Sequence, residues 1–370
     1  AGDMAGHREQ DMRYYDEVGN LPWALNNCWS QYRYSMDETM LREKIYPLLR
    51  RAINLYLHMI EEGEDGKLRL PPTFSPELGV FEDCNFDLAL LKWGCHTLLK
   101  ASKRLKIDDP LIPRWEAVVE GLPDYPADEF GFRLGHDRTS SANHQHFSNL
   151  LMIYPLYLVN IEQEGTVDVL RRSLKRALGT AGPGQRQAMV QAHAGPIATA
   201  IGLGDEALDS LKRLEGDLYP NGLWYDPPCI ESSLALANII QDMSIQSWSD
   251  PATGESGPIR IFPAVPSTWK DVEFRDLRTE GAFLVSAQRS RGQTRWVVIK
   301  SLAGEPCRVR PGFNGEFHIE SDRRLQLKQV SPGIYEIDLK QGEEAFLFAK
   351  SGASQPAALG ATVNTKHETR

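Results

Sequence analysis

"LREKIYPLLRRAINLYLHMIEEGEDGKLRLPPTFSPELG", residues 41–79, contains in sequence the two signals that decide how this chain reads. In its first half Leu41, Ile45, Leu48, Leu49, Ala52, Ile53, Tyr56, Met59 and Ile60 recur at i, i+3, i+4 spacing. That spacing predicts one amphipathic helix over 37–62, closed by Asp65-Gly66 in "EDGK". In its second half three prolines, Pro71, Pro72 and Pro76, surround a single carboxylic acid, Glu77. A residue before proline is driven to extended geometry, so Ser75 and its neighbours form a stiffened connection. The plain reading is an inter-helix loop with a solvated glutamate. The sharper one is a loop that aims an acid into a cleft, where misplacement by about 1 Å is expensive.

Outward from this stretch the same helical grammar continues. Residues 21–35, 86–105, 143–161, 166–178, 186–203, 205–215 and 230–247 carry helical patterns, joined by Pro- and Gly-rich connections such as "GLPDYPADEFG", "TAGPGQ" and "YPNGLWYDPP". The segments 143–161 and 230–247 are apolar on most faces, which predicts helices packed from both sides. The rhythm changes after Trp248. "SDPATGESGP" is a linker by composition, and beyond it "GAFLVSAQR", "TRWVVIKS", "PCRVRPG", "EFHIES", "LQLKQV", "IYEIDL" and "EAFLFAK" alternate between turns. Their spacing of roughly 8–12 residues is that of an antiparallel β-sandwich. The chain is therefore expected to hold a helical domain over 1–250 and a β domain over 258–350. The small, polar residues 351–370 are expected to be disordered.

Composition narrows the function. The 370 residues carry a formal net charge of −9 without a basic stripe, which argues against a nucleic-acid partner. No apolar run has the roughly 20 residues of a membrane span. Cys28, Cys84, Cys95, Cys229 and Cys307 form no CxxC pair, so neither a zinc site nor a disulfide framework is indicated. There is no GxSxG elbow, no phosphate-binding glycine loop and no HExxH. No cofactor or metal is expected. The opening "AGDMAGHREQ" lacks an initiator Met and a signal peptide and reads as a processed product or fragment.

Four polar features interrupt otherwise apolar patterns. Glu77 is the first. The second is "NHQHFSN", 143–149, in which His144 and His146 stand two apart. On a helix they point about 200° from each other, so they do not chelate one metal but suit hydroxyl contacts. The third is Glu231, with Ser232 and Ser233, opening the apolar run "IESSLALANIIQDMSIQSW". An acid in a first helical turn is also what the helix dipole favours. His193 in "QAHAGP" is the fourth, and a lone histidine is more often a satisfied core residue. Acids and amides on a helical frame, with eight Trp and twelve Tyr available for stacking on sugar rings, point to carbohydrate chemistry by two carboxylates.

At these residues the chain resembles glycoside hydrolase family 95, the inverting α-L-fucosidases and α-L-galactosidases. "YRYSMDETMLREKIYPLLRRAINLYLHMIEEGEDGKLRLPPTFSPE" is similar to the family's long helix, "DG" turn and "SPE" motif. "NFDLALLKWGCHTLLKAS" matches its next helix, with Asp87 at an acidic position. "HQHFSNLLMIYPL" resembles "HRH-x-SHL-x-x-LYP", and "IESSLALANIIQDMSIQS" aligns with "IDGNFGGTAGIAEMLLQS". "IRIFPAVPSTWKDVEFRDLRTEGAFLVS" resembles the family's passage into its C-terminal β domain.

The resemblance implies an (α/α)6 toroid followed by a β-sandwich, and an inverting hydrolase of carbohydrate in an extracytoplasmic setting. It places the general acid on Glu77 and the general base on Glu231, where the family has aspartate. It places His144 and His146 at the substrate and Asp87 at an acidic position beside them, and His193 is expected there as a further substrate contact from its place in the chain alone. The family's "DGN" is "ESS" here, and its pair of water-positioning asparagines precedes residue 1; Asn26 and Asn27 do not match them. About eight helices are fewer than a closed ring of six hairpins needs, so an incomplete toroid with an exposed apolar edge is expected. Two rivals stand beside this reading: another (α/α)6 sugar-processing enzyme such as a lyase, and a non-catalytic glycan-binding protein.

Overall fold

The computed structural model describes residues 17–76, 78–136, 146–180, 187–216, 219, 230–253 and 256–350. The helical part opens with α1 (Asn20–Ser35), which ends where Met36 turns left-handed. Asp37 then caps α2 (Glu38–Met40) by accepting from the Thr39 and Met40 amides at 2.9 and 3.1 Å. A π-helical stretch, Leu41–Ile45, joins α2 to α3 (Tyr46–Met59). One apolar stripe of this composite, Leu41, Ile45, Leu49, Ala52, Ile53 and Tyr56, is buried, as the i, i+3, i+4 spacing requires.

Short strands follow: β1 (Glu61–Glu62) pairs with β2 (Leu68–Arg69), and β3 (Thr73–Ser75) pairs with β4 (Gly79–Phe81). The centre of the domain is α4 (Asn85–Leu105), buried on nearly every face. It approaches α3 so closely at Gly94 that an added Cβ would stand 2.2 Å from Ile53. α5 (Ile112–Gly121) packs Trp115 and Val118 inward, and β5 (Ala127–Asp128) pairs with β6 (Gly131–Phe132). The helices α6 (Val167–Thr180), α7 (Gln187–Ala200), α8 (Gly204–Gly216) and α9 (Ile230–Ser244) complete the helical part.

Three expectations need correction. Over the described residues of 143–161 there is no long helix, only a 3-10 turn at Ser148–Leu150 followed by turns to Leu156. Phe147, Leu150, Leu151, Met152, Ile153, Leu156 and Leu158 are all buried, so this stretch is enclosed from every side. A run buried all round has no periodicity by which a helix and an irregular segment differ. The expected helix 230–247 stops at Ser244, because Ile245 and Gln246 leave it as β7 to pair with β8 (Ile259–Ile261). The helix α5 and the strand β9 (Val272–Thr279) went unread in sequence.

The β part consists of two five-stranded sheets enclosing one apolar core. One sheet runs β13 (Phe317–Glu320), β16 (Glu344–Ala349), β11 (Gln293–Ser301), β10 (Phe283–Ser290), β9. The other runs β14 (Leu327–Ser331), β15 (Ile334–Ile337), β12 (Cys307–Arg310), β8, β7. Inward residues alternate along β10 and β11, where Val285, Ala287, Val297 and Ile299 are fully buried. All pairings are antiparallel except β8 with β12, where Val309 lies opposite Ile259 in parallel. The expected tail, 351–370, lies outside the described residues. α9 exposes Ile230 and Leu234 at 59% and 58%.

Candidate active site

The proline-rich stretch folds as the β3–β4 hairpin, with Ser75 paired to Gly79 and the Leu78 amide donating to the Ser75 carbonyl at 3.0 Å. Thr73, Phe74 and Ser75 are buried. Asp83 anchors the approach to it: it accepts from the Leu70 amide at 2.8 Å and from Arg69 at 2.7 Å. Glu77, between these fixed neighbours, lies outside the described residues, as does His144.

Beneath the hairpin a polar cluster is sealed from water. Tyr56 donates to Asp87 Oδ1 at 2.5 Å, and Asp87 itself is 0% exposed. Burial, opposed by Thr73 and Tyr56, pushes the Asp87 carboxyl up to about 7, and burial lifts the Cys84 thiol to about 12. Thr73 faces this carboxyl, although neither its Oγ1 nor Asp87 Oδ2 completes a hydrogen bond. Asp87 was expected at the substrate. The structure shows its carboxyl fully buried against Tyr56 and Thr73.

The motif segments meet at the same end of the helices. Ser75 and Ser148 are both fully buried and share a hydrogen bond of 2.8 Å. This ties the hairpin to the segment that carries His146 and Phe147. The His146 and His193 rings meet edge to face, with centroids 5.8 Å apart, and Phe147 lies 5.9 Å from His193. His193 Nδ1 stands 2.8 Å from the Met189 carbonyl; a carbonyl only accepts, so Nδ1 carries the proton and Nε2 is left as an acceptor. Burial, with His146 nearby, lowers the His193 pKa to about 4, against the hydrogen bond to the Met189 carbonyl and, more weakly, the Glu231 charge. His193 is thus a neutral imidazole at pH 7.

Glu231 is exposed in the first turn of α9. Next to it Ser232 is fully buried and donates to the Met189 sulfur at 3.6 Å. Met189 therefore holds His193 through its carbonyl within α7 and joins α7 to α9 through its sulfur to Ser232. Close packing of the same two helices depends on Gly195, where an added Cβ would meet Ile239 at 2.3 Å. Sequence reasoning missed Ser75, Ser148 and Met189, whose types are ordinary and whose spacing carries no periodic signal. Among the described residues no group of three or more His, Cys, Asp or Glu is placed to hold a metal ion.

Comparison with known proteins fits this geometry. Residues 3–232 match the glycosyl hydrolase family 95 catalytic domain, and residues 254–347 match the glycoside hydrolase family 95 C-terminal domain. Alpha-L-fucosidase 2 of Arabidopsis thaliana is 26% identical over 297 residues, covering 73% of this chain and 34% of that protein. The probable alpha-fucosidase A of Aspergillus niger is 24% identical over 313 residues, covering 74% and 38%. This chain thus spans about a third of the length of these relatives. Among solved structures, a putative kojibiose phosphorylase from human microbiome superposes with a TM-score of 0.51 at 12% identity, over 87% of this chain and 45% of that one. That likeness supports the fold, an (α/α)6-type helical domain followed by a β-sandwich.

Proposed function

The chain belongs to glycosyl hydrolase family 95, and from that membership we propose that it removes a terminal fucose- or galactose-like sugar from oligosaccharides or glycan side chains with inversion. In this scheme Glu77 is the general acid that protonates the departing glycosidic oxygen. Glu231 is the general base that activates water on the opposite face of the ring. His146 and His193 contact the sugar, with His193 Nε2 accepting from a hydroxyl, and His144 lies two residues away in the same motif. Asp87 acts from below, as a positioning residue for the hairpin that bears Glu77.

The observation that carries this reading is the meeting of the His146 and His193 rings on the segment that the Ser75–Ser148 bond ties to the hairpin leading to Glu77, with the Glu231 carboxylate among the charges that act on His193. Release of reducing sugar from aryl α-L-fucosides and α-L-galactosides tests it, with Glu231→Gln as control. Turnover that falls by several orders of magnitude in the variant supports the assignment, and turnover unchanged in Glu231→Gln rejects it.

One observation favours a second reading, a glycan-binding protein without turnover. Glu231 stands where the aligned family segment has aspartate, and Ser233 where it has asparagine. Calorimetric binding of an oligosaccharide with no sugar release in wild type would select that reading.

A further inference from the structure

A polar cavity of about 330 Å³ lies at the other end of α9 from Glu231, between α1, α4, the turn at Tyr154–Tyr157 and the start of the β part. From Glu231 to Asp242 is 11 residues of helix, or about 16 Å along the axis. The two places are therefore separate.

Its ionic rim is already committed. Glu280 pairs with Arg33 at 3.2 Å and accepts from Ser249 at 3.0 Å, and Lys100 donates to the Asp250 carbonyl at 3.2 Å. Trp248 is stacked on Tyr157, centroids 4.9 Å apart, with the Arg260 guanidinium 3.5 Å from its ring centre. The groups left over are of another kind. Asn26 is 4% exposed, lines the cavity and makes no side-chain hydrogen bond among the described residues. The side chains of Asn27, Gln241 and Asp242 line it as well, again without a hydrogen-bond partner there. Burial and then the Asp242 charge raise the pKa values of Tyr154 and Tyr157, and burial, then Glu280, then Asp242 raise that of Tyr34, all of which line the cavity with Asp242. Burial pushes Asp242 itself up to about 7.

A buried amide without a partner is costly, so Asn26 is satisfied by whatever occupies the space, and the half-buried Gln241 and Asp242 and the exposed Asn27 offer further polar groups to the same occupant. At about 30 Å³ per water the cavity is roughly ten waters large, far more than one bridging molecule, and it reaches the lower end of small-ligand pockets. The occupant must satisfy several amide and carboxyl groups at once and lie against the rings of Trp29 and Trp93, and it need bring no charge, since Glu280 is held by Arg33 and Lys100 by the Asp250 carbonyl. Vicinal hydroxyls on a puckered apolar ring meet all three conditions. We propose that this cavity is a second carbohydrate site, which holds a neutral polyhydroxyl ring of monosaccharide size at the junction of the helical and β parts.

The test is titration of the whole chain with D-glucose, D-galactose and L-fucose, each alone, followed by tryptophan fluorescence and calorimetry. Saturable binding of at least one of them at millimolar concentration is expected. Asn27→Trp, which fills the cavity from an exposed position, should weaken that binding at least tenfold, and Asp242→Leu should do the same. Glu231→Gln, the one variant that reports on the proposed active site, should leave unchanged the part of the binding that Asn27→Trp removes. Absence of saturable binding for all three sugars would overturn the inference. So would binding that survives Asn27→Trp, or binding lost in Glu231→Gln and kept in the cavity variants. Asn27→Trp alters no buried residue, so the test stands even if Asp242→Leu does not fold.

Discussion

The hydroxyls of Ser75 and Ser148 are hydrogen-bonded at 2.8 Å, fully buried, across 73 residues of chain. Ser75 closes the strand that leads to Glu77, and Ser148 follows directly on the His146–Phe147 turn. One short bond thus joins the segment bearing the proposed acid to the segment bearing a proposed sugar contact. A proline-rich hairpin is stiff in itself, but stiffness alone does not aim it. This bond, with Asp83 on one side and Tyr56–Asp87 below, fixes its direction.

Ser148→Ala leaves the Ser75 hydroxyl buried without its partner, at a cost of about 1–3 kcal/mol. Activity should fall roughly tenfold to a hundredfold, because the acid loses its alignment. In a double-mutant cycle, Ser75→Ala with Ser148→Ala should lose clearly less than the sum of the two singles. Simply additive losses would show that the bond does not couple the two segments.

The buried Asp87 makes stability depend on pH. Its folded pKa is raised to about 7, while an unfolded aspartate titrates near 3.9. Between those values the native state holds the extra proton, so stability is greatest near pH 4 and declines as pH rises to about 7. Asp242, raised likewise, adds a slope of the same sign. In an Asp242→Asn background, melting temperature should fall less steeply from pH 5 to 7 when Asp87→Asn is added. Identical slopes with and without Asp87 would refute its protonated burial.

Arg260 links the two parts of the molecule. Its side chain is 4% exposed and binds Glu162 at 2.9 and 3.0 Å and the Trp248 carbonyl at 2.9 Å. Arg260→Met leaves Glu162 with Arg310, 3.0 Å away, and leaves the Trp248 carbonyl without this donor, and should cost about 1–3 kcal/mol in urea unfolding. Arg260→Lys should rescue little, since a point charge does not replace the bidentate fork. Full rescue by lysine would reduce the contact to simple charge.

Glu77→Gln removes the proposed proton donor. Turnover of natural glycosides should be abolished, while aryl glycosides with good leaving groups, which need little protonation, should be affected much less. Equal loss on both substrate classes would assign Glu77 a structural role.

The sequence displayed most of this frame, and the failures have physical causes. The α3 stripe and the alternation in β10 and β11 were legible because each buries one face only. The stretch 146–161 was not, because it is apolar and buried all round, and Pro155 interrupts it. The strand β9 was hidden by its own chemistry: Glu273, Arg275 and Asp276 lie exposed on a sheet edge. At the proposed site the acids and histidines stood out as polar breaks in apolar patterns. Their supports, Ser75, Ser148 and Met189, act across long separations that no local pattern encodes. Asp242 was the one missed signal of the readable kind, a carboxylic acid inside the apolar run of α9.

The central claim is an inverting displacement between Glu77 and Glu231, with carboxyls roughly 6.5–9.5 Å apart across the sugar. Proton NMR of the first product formed from an aryl α-L-fucoside or α-L-galactoside tests it most directly, read before mutarotation. The expected result is the β-anomer first, followed by slow equilibration to the α-anomer. The α-anomer appearing first, or no sugar released from either substrate, would contradict the account.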